Sequence, residues 1–437
     1  MDHLDRLCRC LNSMGSAVLP VPFADGAAQI ARPLSSLRVL FVDIHLVPAV
    51  PPGPQAYDIV TKAIESIVAP ECGPYVLISW STHPTHHQTL MEHLAANLND
   101  AVPPPAASAC LNKNRYIGAA GDMAQGVIDA VASVPQAAAL LQWCEAAQVA
   151  SGEVANSILN LVDRTKRFAG GSGQELEKIL ASIAREGAGT NAGKDLPAAM
   201  NEGLGPILTD RLLHSTAGNH QLMSTVWAAA TPDVARDPGL AEAERAALNT
   251  MCAISVHDIA SVEPGTRGAV STLPTQLLAD EGFSSAFGCL PADAVSNFIS
   301  LKPSEGRVDK NLSKAEKAAL RQKLLDDCNF RLVGLSAACD HAWGKVPVKK
   351  LLLALEVPAT YLGNFDINGH DAMYATPRFL VPALGQPGVL LFNWRYHLAM
   401  PGELQDVEVL YRLREPLVSH FGTTYHVHGF RPGIPNF

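Results

Sequence analysis

Charged residues are scarce in this chain, 17% of the total, and aromatic ones scarcer still, 6%. Set against 48% hydrophobic residues, that scarcity excludes a disordered polypeptide, which combines high charge with few apolar groups. Basic residues are outnumbered, 33 against 42 acidic, for a net charge of −9, and no Lys/Arg-rich block occurs. Nucleic acid and an anionic membrane are therefore disfavoured as main partners. Long hydrophobic runs are missing: the longest, such as Val389–Phe392, fall far short of the ~20 residues that span a bilayer. The opening stretch, with Asp2, Asp5, Arg6 and Arg9, has no apolar signal-peptide core. The nine cysteines are odd in number and scattered, with no CxxC pair, which reads as a reduced, cytoplasmic protein. Gly-rich phosphate loops of the Walker or GxGxxG type, HExxH and histidine-kinase ATPase signatures are all lacking, so ATP or NAD use has no support.

What is present begins with alternation. With about 150 residues per domain, the 437 residues imply roughly three domains. The first, 1–120, alternates helical and strand-like patterns. Asp2–Leu11 has apolar residues at helical spacing, and Ala17–Phe23 is a short apolar run. Asp25 can cap a helix reaching about Leu34. Arg38–Leu46 and Tyr75–Trp80 are runs too apolar for a one-sided sheet, and Ala107–Leu111 is a shorter one. Helices are expected around Tyr57–Val68 and Thr85–Leu98. The pattern implies a doubly wound parallel α/β sheet. An Ala-rich, mostly helical region follows over 121–245, with Pro135 at a helix start and Ser172 and Gly187 bracketing another helix. An α+β C-terminal region of unknown fold occupies 246–437. Its expected strands are Cys252–Val256, Arg331–Ser336 and Gly388–Trp394, and Ser313-Lys314-Ala315-Glu316 is a capping box opening a helix to about Asp327.

In parallel α/β sheets, chemistry gathers where strands end. Asp43 lies towards the end of the run Val39–Leu46, Ser81 and Thr82 follow Tyr75–Trp80, and Lys113 follows Ala107–Leu111. A carboxylate, a hydroxyl and an ammonium on one edge suit phosphoryl chemistry. The carboxylate is the nucleophile, the hydroxyl bonds a phosphoryl oxygen, and the ammonium balances the added charge.

The runs VLFVDIHL, YVLISWST and CLNK, in this order and spacing, resemble the receiver (response-regulator) domain, in the divergent form found in prokaryotic antiviral-defence and two-component proteins. The resemblance covers 1–120. It implies that Asp43 is a phosphoacceptor assisted by Ser81, with Thr82 the weaker choice, and by Lys113. It also implies signalling or regulation in a bacterial antiphage defence or two-component-like system. The partners would then be a histidine kinase or a defence effector, with no nucleic acid or membrane and with room for an oligomer. Receivers carry an acidic pair on their first strand to hold Mg²⁺. This chain opens on a helix-like segment instead, so that strand and pair are missing from it. Asp43 is left as the candidate metal ligand, and Mg²⁺ binding is expected to be weak. A degenerate receiver acting through protein contacts is the other form of the same expectation.

Other clusters are weaker. His83, His86, His87 and His93 invite a metal reading, but Pro84 interrupts them, and polar residues at an exposed helix start are the plainer account. Cys339, Asp340, His341 and Lys345 form the densest polar group of the C-terminal region. They carry the alternative, a hydrolase or nuclease effector under receiver control. His426 and His428 alternate with Tyr425 and Val427, which implies a short strand, while Arg412, Arg414 and Glu415 read as a solvated helix face.

Overall fold

The structure is a computed structural model that describes residues 2–24, 26–117, 122–168, 172–189, 192–193, 195–214, 220–233, 235, 239–257, 259–299, 313–336, 348–362 and 372–429. The chain divides into two compact units, Met1–Leu176 with Leu204–Arg236, and Glu177–Gly203 with Asp237–Phe437. The helical middle of the chain is shared between them.

The first unit opens with α1 (Asp2–Ser13), then a small hairpin of β1 (Phe23–Ala24) and β2 (Ala27–Ala28). There follow β3 (Val39–Val42), α2 (Pro54–Ile67), β4 (Val76–Ser81), α3 (His87–Asn97), β5 (Ala107–Asn112), α4 (Lys113–Ile117), α5 (Met123–Ala132) and α6 (Pro135–Leu159). Strands β3, β4 and β5 make a three-stranded parallel sheet in that order, with Val42 beside Ser79 and Ser81 beside Asn112. All six residues of β4 are buried, as a sheet covered on both faces requires. On one face Leu40, Val42 and Leu77 pack with Tyr57, Val60 and Ile64 of α2 and Leu90 and Leu94 of α3. On the other, Val76, Ile78 and Trp80 pack with Leu7 and Leu11 of α1 and Val127 and Ala130 of α5. Strand alternation thus sorts neighbouring residues to opposite helical layers. The helix expected from Asp25 to about Leu34 does not form. Ala24 pairs with Ala27 and Gly26 turns the chain at φ 78°, a left-handed value that breaks a helix start. Asp25 itself lies outside the described residues.

Helices α7 (Arg164–Phe168), α8 (Gly173–Ala188), α9 (Leu196–His214) and α10 (His220–Ala230) complete the middle region. Helix α10 packs on α6, where the Gln136 amide donates to Ala230 O at 3.2 Å. Among the described residues no single helix is long and apolar enough to cross a membrane. Only α5 and α6 together reach that composition, and they are bent by 100°.

The second unit contains α11 (Glu242–Ala253), β6 (Ile254–Ser255), β7 (Ala269–Ser271), α12 (Asp280–Phe287), α13 (Pro291–Phe298), α14 (Lys314–Asp327), β8 (Asn329–Gly334), β9 (Val348–Pro358), α15 (Ala359–Leu362), β10 (Met373–Ala375), β11 (Phe379–Val381), β12 (Gln386–Pro401), β13 (Val409–Leu413) and α16 (Glu415–Gly429). The strands form an eight-stranded antiparallel sheet in the order β10-β12-β9-β8-β7-β13-β6, with β11 also on β12. One face carries α12, α13 and α15 through Phe283, Phe298 and Tyr361, and the other carries α16 through Val418 and Phe421. The capping box opens α14 as expected: Glu316 N–H donates to Ser313 Oγ at 3.2 Å and Ser313 N–H to Glu316 Oε2 at 2.7 Å. Two expectations fail here. His426 and His428 fall within helix α16, because Val418, Phe421 and Tyr425 recur at helical spacing and pack on the sheet. Arg412 lies on strand β13, and Arg414 donates through Nε to Ile254 O at 3.0 Å, so the two do not form a solvated helix face.

Candidate functional site

The parallel sheet of the first unit brings three strand ends to one edge. Asp43 follows β3 directly, Ser81 is the last residue of β4, and Lys113 follows β5 as the first residue of α4. The Lys113 ammonium donates to Asp43 Oδ2 in a partly shielded ion pair, with side chains 17% and 31% exposed. Asp43 Oδ1 accepts the His45 backbone N–H at 3.1 Å. Both carboxylate oxygens are therefore engaged, one by a charge and one by an amide.

Ser81 stands on the same edge but is occupied differently. It is fully buried, and its Oγ accepts the His83 N–H at 3.0 Å. Among the described residues no hydrogen bond joins it to Asp43 or Lys113. The structure thus pairs Asp43 with Lys113 and places Ser81 at the end of the neighbouring strand on the same edge.

The histidines after β4 disperse onto separate partners. His86 Nδ1 meets the Tyr57 hydroxyl at 2.7 Å, His87 Nδ1 meets Ser79 Oγ at 2.8 Å, and His93 Nε2 stands 3.0 Å from Asp58 Oδ1. Burial pushes the His87 imidazole below its ordinary value and the Tyr57 phenol above its own. The His86–Tyr57 and His87–Ser79 bonds fasten the start of α3 and its preceding turn to α2 and β4, while His93 Nε2 makes no hydrogen bond among the described residues despite its closeness to Asp58.

One residue of the edge escaped sequence reasoning. His45 follows Asp43 by two positions, as His83 follows Ser81, and the two rings meet edge to face with centroids 6.4 Å apart. His45 Nε2 is buried without a hydrogen-bond partner. The repeated i, i+2 spacing after two strand ends was the available signal.

Among the described residues, this edge does not gather the donor set that Mg²⁺ takes. That ion takes about six oxygen ligands and is usually anchored by more than one carboxylate. Here Asp43 has both oxygens engaged, and among the described residues no three His, Cys, Asp or Glu side chains meet to hold a metal. The cluster Cys339, Asp340, His341 and Lys345 lies outside the described residues.

No family model, curated protein or solved structure matches the chain. The geometry of the edge is what any functional reading has to rest on.

Proposed function

We propose that this protein is a signalling or regulatory component of a bacterial antiphage-defence or two-component-like system, and that its first unit works as a receiver domain with Asp43 as phosphoacceptor. The observation that carries the reading is the Asp43–Lys113 ion pair at the strand-end edge of a parallel sheet sandwiched between helices. An Asp43 oxygen attacks the phosphorus of a phosphohistidine on a partner kinase. The O–P bond forms as the P–N bond breaks, and the departing imidazole keeps the electron pair and takes a proton from solvent. Lys113 already contacts the carboxylate, so it is in place for the second negative charge that an acyl phosphate brings. The signal is read out by protein contact.

The test is mass spectrometry of the full chain after acetyl phosphate treatment, with and without Mg²⁺, and after exposure to a phosphorylated cognate kinase. One base-labile phosphoryl group on the wild type and none on Asp43→Asn is the expected result. Asn keeps the shape of the side chain but is too poor a nucleophile. A wild-type chain that stays unmodified under all of these conditions overturns the phosphoacceptor reading and leaves Asp43 a structural carboxylate.

A further inference from the structure

A phosphoryl group on Asp43 needs its charge met, and among the described residues no set of three His, Cys, Asp or Glu side chains stands ready to hold a divalent cation there. The edge does have imidazoles. His45 is tied to Asp43 through its own backbone N–H, and His83 is tied to Ser81 in the same way. Their rings converge across the ends of β3 and β4 at 6.4 Å, and His83 in turn stands edge-on to His86 at 6.1 Å. The buried Nε2 of His45 has no partner, although burying such a group unpaired is costly. Turned toward the edge, that nitrogen would find its missing partner in a ligand oxygen.

We infer that the Asp43 edge is a metal-independent oxyanion site, in which the His45 and His83 imidazoles join the Lys113 ammonium in holding the oxygens of a tetrahedral phosphoryl group. This rests on the receiver reading above and deepens it. The ligand class is a tetrahedral oxyanion carried on the carboxylate. Lys113 supplies the formal charge. The two imidazoles supply directional N–H donors, which a neutral ring possesses as well as a charged one. Because His45 and Asp43 share one turn, a shift of the carboxylate on modification moves the donor with it.

Beryllofluoride is the probe, because its trigonal BeF₃⁻ takes a carboxylate oxygen as fourth ligand and copies the tetrahedral group. ¹⁹F NMR of the full chain in excess EDTA is expected to show bound fluorides, little changed when Mg²⁺ is added. His45→Phe and His83→Phe are each expected to weaken capture about tenfold, the scale of one lost hydrogen bond to a charged group. His45→Gln, which keeps an N–H donor, is expected to restore part of it. In the wild-type chain the His45 Nε2 resonance is expected to move on binding, a readout that needs no variant to fold. Capture that appears only with Mg²⁺ overturns this inference and leaves the receiver reading standing. So does metal-free capture that neither histidine variant affects. Absence of capture under both conditions overturns the inference, and acetyl phosphate labelling then decides the receiver reading separately.

Discussion

Replacing Glu356 by Gln isolates what one buried charge does for the second unit. Glu356 is 0% exposed, in the middle of the antiparallel sheet on β9. Arg331 on β8 grips it with two donors, Nη2 to Oε1 at 2.9 Å and Nε to Oε2 at 3.3 Å, and the buried Tyr411 hydroxyl on β13 donates to Oε2 at 3.0 Å. The nearby carboxylate and burial push the Tyr411 phenol well above its ordinary value, with burial the larger cause. Gln keeps the shape but removes the negative charge, and its amide NH₂ faces donors. The guanidinium, 11% exposed, is then left without its counter-charge. Breaking one side of such a pair costs about 3–5 kcal/mol. With a urea m-value of about 2 kcal/mol/M, the unfolding midpoint of this unit falls by about 1.5–2.5 M. Hydrogen exchange of the β8, β9 and β13 amides in the Glu356→Gln chain localises the loss. The double variant Arg331→Met with Glu356→Leu should recover most of it, since matched apolar replacement of a buried pair is often neutral. A single variant within about 1 kcal/mol of wild type would refute the argument. A double variant as weak as the single would move the cause from charge to packing.

Burial lowers the His87 imidazole, so the folded unit binds fewer protons than the unfolded chain as pH drops through about 6.5. Its contribution is complete above that pH and declines below it towards the lowered folded value. The slope of melting temperature against pH should flatten in His87→Gln, and an unchanged slope counts against the burial of that imidazole. The Cys328 thiol, pushed up to about 12 mainly by burial, should resist iodoacetamide at about pH 8 while the exposed Cys252 reacts. Equal labelling of the two in the native chain would contradict the packing around α14. Removing the cap with Ser313→Ala should cost about 0.5–2 kcal/mol, seen as faster exchange confined to the first turn of α14.

The strands of the first unit were legible because each run is apolar on both faces, as Tyr75–Trp80 is, and no helix period competes with it. Long Ala-rich helices were equally plain, with Pro135 opening α6 where its ring is tolerated. Short patterns misled. Four alternating residues, Tyr425 to His428, imitate a strand, but the longer stripe from Val418 through Phe421 to Tyr425 decides for a helix. Asp25 looked like a cap, yet Gly26 beside it signals a turn. At the site, the placing of Asp43, Ser81 and Lys113 on one edge followed from strand order, whereas the direct pairing of Asp43 with Lys113 did not. The role of His45 did not, since nothing in a linear sequence shows that a ring nitrogen is buried without a partner.

The alternating pattern ends near residue 112, but the first unit does not. The sheet face bearing Val76, Ile78 and Trp80 is covered by α1 and α5, α5 leans on α6, and α6 is packed by α10, which ends at Ala230. During synthesis, the strands therefore leave the ribosome about a hundred residues before the last helix of their own unit, a delay of some 5–20 s at about 5–20 residues per second. From the completion of α6 until α10 emerges, the surface of α6 that α10 packs on stays uncovered while residues 177–203, which belong to the other unit, pass through. A gene fragment cut at the end of the last parallel strand would lack α5 altogether, leaving Ile78 and Trp80 stripped of Val127 and Ala130.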